Sequence, residues 1–119
     1  LYKYDVKGFL HWGLNFYYCP ASKYAINPYL TTSVDHRYPS GDPFVLYPAQ
    51  DGVYHSMRGK ITLDAMNDLA LCQMLEEKIG RDAVVKMIDE EAGMDIYFNR
   101  FPEEAEFFTR LRDKMISML

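Results

Sequence analysis

The sequence predicts an α/β chain in which two buried strands are followed by three helices. Three observations support this fold class. The chain has 119 residues, of which 49% are hydrophobic, so it can bury a core. Thirteen of its eighteen aromatic residues lie in residues 1–55. Twenty-two of its thirty charged residues lie in residues 56–119, so we expect strands and long aromatic loops first and a helical part afterwards, within a single segment of 1–119.

The first predicted strand covers residues 6–16 and the second covers residues 44–47. The first is apolar on both faces, which is typical of a strand in a parallel sheet or a barrel. The second lies between Pro43 and Pro48, neither of which can donate to a strand ladder. Residues 17–42 form a long loop, and loops of that length are usually functional or flexible.

Hydrophobic spacing predicts three helices in the second part of the chain. The first begins between residues 57 and 61 and ends at Gly80, the second runs from Asp82 to Gly93, and the third opens at Pro102. Apolar residues recur at three- and four-residue steps, so each helix has one inward face. The predicted inward positions are Ile61, Ala65, Leu69, Cys72, Leu75 and Ile79, then Val84, Val85 and Ile88, then Ala105, Phe108, Leu111 and Met115.

Charge and motif content restrict the function. The formal charge is −4 and the pI is about 5.3, which argues against a nucleic-acid surface. No apolar run approaches the length of a membrane span, so we expect no membrane insertion. The three histidines show no metal-ligand spacing, and no phosphate loop or dinucleotide fingerprint occurs, so we expect no metal and no cofactor.

Two side chains near the end of the first predicted strand suit a sugar. The ring of Trp12 can stack on the apolar face of a pyranose, although a core aromatic is an equal alternative. Asn15 offers donors and an acceptor for hydroxyl groups, or it holds a loop through its backbone. His11 is interpreted as a satisfied core or supporting group, and the Asp35-His36 pair as a solvated turn.

Four further residues belong to the candidate site. Asp42, between a Gly and a Pro, has either a turn role or a pocket role. Tyr47 lies at the end of the second predicted strand. Ser56 can cap the first helix, and Arg58 could tie neighbouring loops together by a bidentate carboxylate pair. No residue is assigned a catalytic role.

The order of these motifs resembles a bacterial family, the domain of unknown function 4091, which is related to glycoside hydrolase family 123. The resemblance covers about residues 8–80. Pro43 and Ala49 replace glycines of the family pattern. The residues that carry the resemblance are Trp12-Gly13-Leu14-Asn15, then Gly41-Asp42, then Tyr47-Pro48, then Asp51-Gly52, then Ser56-Met57-Arg58 with Asp64 and Asp68; Lys60, Leu63 and Ala65 depart from it.

The resemblance implies a (β/α)8-barrel hydrolase that acts on β-linked N-acetylhexosamine sugars. Such enzymes use the acetamido group of the substrate as nucleophile, assisted by an Asp-Glu pair, which we expect upstream of this chain. The chain would then be the C-terminal segment of the barrel and of a larger catalytic domain. Trp12, Asn15, Asp42 and Tyr47 would line the glycan pocket, with Ser56 and Arg58 behind them.

The resemblance also bears on partners and compartment. Besides the glycan, we expect pairing with a missing N-terminal half or self-association, because two strands cannot close a barrel. Whether this chain is itself an enzyme stays open, and the family often acts outside the cytoplasm. The alternative is a non-catalytic α+β module that binds carbohydrate or serves a structural or interaction role.

Overall fold

The computed structural model describes residues 1–19 and 22–119. They form two compact units. The helical unit consists of Leu1–Lys7 and Ala65–Leu119, and the aromatic unit consists of Gly8–Asp64. In the described part of the chain, every helix is too short or too polar to cross a bilayer.

Three helices account for most of the second part of the chain. They are α1 (Met57–Ile79), α2 (Arg81–Ala92) and α3 (Ala105–Met118). The predicted limits of α1 and α2 are confirmed to within a few residues. Gly93 ends α2 in the left-handed conformation at a φ of 64°, and its backbone N–H donates to carbonyls of the last turn. Pro102 is buried, and α3 begins three residues after it, later than predicted.

The core of the helical unit is one apolar cluster. Six of the predicted inward positions are buried, but Ile61, Ile79 and Phe108 are wrong, being 62%, 39% and 48% exposed. The predicted inward positions Ala65 and Ala105 are exposed as well. In α3 the buried side chains recur at intervals of four residues starting from Phe107, so the adjacent Phe108 falls off that stripe. The buried cluster consists of Tyr2, Cys72, Leu75, Val84, Met87, Ile88, Phe107, Leu111 and Met115.

Polar contacts fasten the N-terminal residues within the helical unit. Lys3 Nζ donates to both carboxylate oxygens of Asp89 at 2.7 Å, and that hydrogen bond raises the pKa of Lys3. The Tyr2 hydroxyl donates to Glu76 at 2.8 Å. Residues 1–7 are therefore ordered by ion pairs and hydrogen bonds as well as by burial of the Tyr2 ring.

The aromatic unit contains a two-stranded antiparallel hairpin. Its strands are β1 (Leu46–Ala49) and β2 (Gly52–His55), joined by a two-residue turn at Gln50 and Asp51. Pro48 was predicted to end the strand, but it lies inside β1 opposite Val53. Both strands of a two-stranded sheet are edges, so a proline is tolerated where its missing N–H would face outward.

The predicted barrel segment is wrong. The strands of the described residues are antiparallel neighbours in one hairpin, whereas a (β/α)8 barrel needs parallel strands. Residues 6–16 do not form a strand either, because their pairing with residues 43–46 is confined to their last residues: Val45 and Leu46 donate to the carbonyl of Leu14, and Asn15 forms an isolated bridge with Phe44. Phe9 and Leu10 are exposed rather than buried on two faces.

Candidate functional site

The aromatic unit brings Trp12 and Asp42 into contact. The indole N–H of Trp12 donates to Asp42 Oδ2 at 2.8 Å. The other oxygen, Asp42 Oδ1, lies 3.4 Å from His11 Nε2. His11 Nδ1 in turn accepts the backbone N–H of Gly13 at 3.2 Å. Nδ1 is therefore occupied as an acceptor, and Nε2 is the ring nitrogen nearer to Asp42.

Two aromatic rings surround Trp12. Its ring centroid is 4.4 Å from that of Tyr38, with 39° between the planes, and 5.5 Å from that of Phe16, in an edge-on arrangement. Phe16 and Tyr38 also meet edge to face. Trp12 itself remains 46% exposed. The indole is therefore held by its N–H and by ring packing while a large part of it faces solvent.

Backbone pairing between two segments places these side chains. The N–H of Phe16 donates to the carbonyl of Pro43 at 3.0 Å, and the N–H of Val45 donates to that of Leu14 at 2.9 Å. A Cβ added to Gly13 would make ordinary van der Waals contact with Pro43, at 3.5 Å from its Cα. The backbone pairing brings residues 11–12 alongside Asp42 without regular strand structure.

A second group of side chains gathers around Arg58, at the start of α1. Its Nε and Nη2 donate to the carbonyl of Phe44 at 3.1 and 2.9 Å, and Nη2 also donates to the Tyr47 hydroxyl at 2.9 Å. The guanidinium carbon lies 6.0 Å from the centre of the Tyr47 ring. Arg58 therefore ties two segments together as predicted, but through a backbone carbonyl and a hydroxyl instead of a carboxylate.

Gly41 makes room for this guanidinium. Its φ is +83°, a conformation that glycine adopts without steric cost. A Cβ at this position would lie 2.5 Å from Arg58 Nη1 and 2.7 Å from Cζ. The Gly-Asp-Pro turn and the arginine of α1 thus fit against each other at van der Waals contact.

Ser56 caps α1 and joins it to the hairpin. Its Oγ accepts the backbone N–H of Gly59 at 3.2 Å, which satisfies an orphan donor of the first turn. The same hydroxyl donates to the carbonyl of Val45 at 2.6 Å. The predicted capping role is confirmed by these two bonds.

Two tyrosines from outside the hairpin donate to its backbone carbonyls. Tyr17 donates to Leu46 at 2.6 Å, and Tyr29 donates to Pro48 at 2.6 Å. The Tyr29 and Tyr47 rings lie 5.5 Å apart. Burial raises the pKa of Tyr17, and the neighbouring tyrosines raise it further, so its hydroxyl stays protonated and serves as a donor.

The predicted site residues thus fall into two groups. Trp12 and Asp42 form one, and Tyr47, Ser56 and Arg58 lie along β1 and the start of α1. Within residues 1–19 and 22–119, no hydrogen bond or ring contact joins Trp12 or Asp42 to Tyr47. Asn15 is exposed, and its backbone links the two segments through Phe44.

Sequence reasoning missed Tyr38, which packs on Trp12 from within the long loop. Of the two predicted roles for His11, the core role is wrong because the residue is exposed, and the supporting role agrees with its 3.4 Å distance from the Asp42 carboxylate. The only sequence signal for His11 was its place beside Trp12. Asp35 and His36 do form an exposed turn, in which the Tyr24 hydroxyl donates to Asp35 and that bond raises the pKa of Tyr24.

Another cavity lies in the helical unit. It has a volume of about 700 Å³ and is lined by side chains of mixed charge, including Lys3, Arg81 and Asp89. Asp89 forms an ion pair there with Lys3. Among the described residues, no three His, Cys, Asp or Glu side chains lie where they could share a metal ion.

An exposed indole with its polar edge fixed is typical of proteins that bind carbohydrate, because the ring can receive a pyranose face. A family model for the catalytic domain of glycoside hydrolase 123 matches residues 1–75, which include the whole aromatic unit. Because the match covers more than half of the chain, the chain belongs to this glycoside hydrolase family. No curated protein matches it.

Proposed function

We propose that this chain contributes a binding surface for N-acetylhexosamine-type glycans to a family 123-like glycoside hydrolase. The observation that carries the proposal is Trp12, whose indole N–H is held by Asp42 while almost half of the residue stays exposed. A ring that is already fixed loses little rotational freedom when a sugar stacks on it. Membership of a glycoside hydrolase family supports a carbohydrate ligand.

Two other residues would complete the contact with the sugar. Asn15 is exposed close to Trp12 in sequence, and its amide can both donate to and accept from hydroxyl groups. The Tyr47 hydroxyl accepts from Arg58, so its own proton can be donated to a sugar oxygen. Arg58 and Ser56 hold these segments in place and need not touch the ligand.

The proposal assigns no catalytic residue to this chain. The family resemblance implies that the substrate acetamido group is the nucleophile and that an adjacent Asp-Glu pair assists it. We place that pair on a part of the protein outside residues 1–119. The chain alone is then expected to bind amino sugars without hydrolysing them.

The test uses the fact that Trp12 is the single tryptophan of the chain, so its fluorescence reports on this position alone. Titration with a β-linked N-acetylhexosamine disaccharide should change the emission of the 119-residue chain. Trp12→Ala should weaken binding at least about tenfold by calorimetry, because stacking and burial of the ring are lost.

Tyr54→Ala is the matched control, since Tyr54 is an exposed aromatic residue of the same unit and lies in β2. It should bind the disaccharide as the unaltered chain does. Equal affinity of Trp12→Ala and the unaltered chain would refute the proposal. Hydrolysis of a chromogenic N-acetylhexosaminide by this chain would contradict the placement of the catalytic pair.

A further inference from the structure

We infer that Asp42 is a positioning residue that acts through the Trp12 indole, and that it does not bind the glycan itself. The inference rests on the proposed function for its effect on affinity. Its structural part rests on two hydrogen bonds, Trp12 to Asp42 and Gly13 to His11, and on the 3.4 Å distance between His11 Nε2 and Asp42 Oδ1. It goes beyond the family resemblance, which implies that Asp42 lines the pocket as a direct ligand of the sugar.

Both oxygens of the Asp42 carboxylate face donors of this chain. Oδ2 accepts the Trp12 N–H at 2.8 Å, and Oδ1 faces His11 Nε2 at 3.4 Å. The His11 ring is oriented from its other side, because Nδ1 accepts the N–H of Gly13. These contacts occupy part of the acceptor capacity of the carboxylate and leave fewer of its lone pairs for sugar hydroxyl groups.

The turn that carries Asp42 is itself well fixed. The N–H of Asp42 donates to the carbonyl of Pro39 at 3.1 Å, and the N–H of Phe44 donates to that of Gly41 at 3.1 Å. Pro43 and Phe44, which follow Asp42, are buried. The carboxylate is therefore a stationary acceptor, and hydrogen bonds to charged groups are stronger than neutral ones.

An indole without this acceptor would keep its ring contacts with Tyr38, Phe16 and His11 and lose its polar one. It would then be held less firmly about its side-chain bonds, and sugar binding would have to order it further. Asp42 thus affects the glycan through the orientation of Trp12. His11 supports the same orientation indirectly, because it lies beside the carboxylate oxygen that does not bind the indole.

The experiment compares Asp42→Ala and Asp42→Asn in the 119-residue chain by near-ultraviolet circular dichroism. The tryptophan bands of this chain come from Trp12 alone, and Trp12→Phe supplies the baseline. Asp42→Ala should lose most of the band intensity, because the indole becomes mobile. Asp42→Asn keeps an oxygen that can accept the indole N–H, so most of the band should be restored. Far-ultraviolet spectra show whether each variant is folded.

Affinity for the disaccharide separates positioning from direct contact. Asp42→Ala should weaken binding about tenfold when Trp12 is present. In the Trp12→Phe background, where the indole N–H is absent, the same substitution should have almost no further effect. An equal loss in both backgrounds would show that Asp42 contacts the sugar directly and would overturn the inference.

The two proposals fail in different ways. Unchanged tryptophan bands in a folded Asp42→Ala variant would overturn the positioning role whatever the affinity is. If the unaltered chain binds no amino sugar, the proposed function is overturned, and the bands of the Asp42 variants still decide whether the carboxylate orients Trp12.

Discussion

The helical unit and the aromatic unit are stabilised by different interactions. The helical unit buries nine side chains in one apolar cluster. Among the described residues of the aromatic unit, the largest fully buried side chains are Phe44, Val34 and Pro43, and several other side chains donate to backbone carbonyls. A substitution in the first unit should therefore unfold it cooperatively, whereas one in the second should loosen a particular segment.

The largest effect is expected for Leu75→Ala in the helical unit. Leu75 is completely buried in the cluster, so its truncation leaves a cavity and should cost about 2–5 kcal/mol of the free energy of unfolding. Urea denaturation followed by circular dichroism measures this loss. Met74→Ala is the control, because Met74 is exposed, and it should change stability by no more than about 0.5 kcal/mol. Similar losses for both residues would contradict the comparison.

Arg58→Ala tests the aromatic unit. The substitution leaves the carbonyl of the buried Phe44 without its two donors, which should cost about 1–3 kcal/mol. Hydrogen exchange should accelerate at residues 44–47 while the amides of α2 and α3 keep their protection. Lys60→Ala removes an exposed cation from the same helix and should leave exchange unchanged. A uniform acceleration throughout the chain would mean that the two units do not respond separately.

Alkaline pH should weaken the helical unit through Cys72. Burial raises the pKa of its thiol to about 11, above the ordinary value near 8.5. Below pH 8 the thiol is neutral in both the folded and the unfolded state. As pH rises from about 8.5 towards 11, only the unfolded thiol ionises, so the free energy of unfolding falls.

The measurement is the urea midpoint of the unaltered chain and of Cys72→Val, compared at about pH 8 and about pH 10.5. Other titrating groups are shared by the two chains and cancel in the difference. The unaltered chain should lose more stability than the variant between the two pH values. Parallel losses would show that Cys72 does not contribute to the pH dependence.

The smallest effect is expected for self-association, which remains a prediction. Met57, Ile61 and Leu63 are exposed on the first part of α1, and in the described chain β2 pairs only with β1. Sedimentation velocity should show an average mass that rises with concentration, and Ile61→Lys should reduce the rise. If the chain is a monomer at every concentration, with and without this substitution, the prediction is refuted.

The two units also differ in how far the sequence predicts them. Spacing of apolar residues together with Gly80 and Gly93 predicts α1 and α2 almost completely, because helices depend on local hydrogen bonds. Strand formation depends on a partner, and the apolar run of residues 6–16 finds one only at its end. The predicted fold class was therefore wrong for the strands, which depend on long-range contacts.

The same distinction applies to the candidate site. Trp12 and Asp42 could be chosen by the chemistry of their side chains, and they do meet. Their contacts with His11 and Tyr38 depend on how residues 17–42 fold back on residues 11–12, and no local sequence pattern predicts that path. Arg58 was predicted to bind a carboxylate, but its acceptor is the backbone carbonyl of Phe44. Because every residue has a backbone carbonyl, the sequence does not indicate which one an arginine will bind.

The fit of Gly41 against Arg58 has a consequence for how this chain tolerates substitutions. A side chain at position 41 is opposed twice: by a backbone φ of +83° and by a guanidinium that lies 2.5 Å from the Cβ position. Shortening Arg58 removes the second obstacle and leaves the first. The two positions are therefore coupled, and the coupling is reciprocal: a change at 58 lessens the cost of a change at 41 without abolishing it, and a change at 41 lessens the cost of a change at 58 by the same amount.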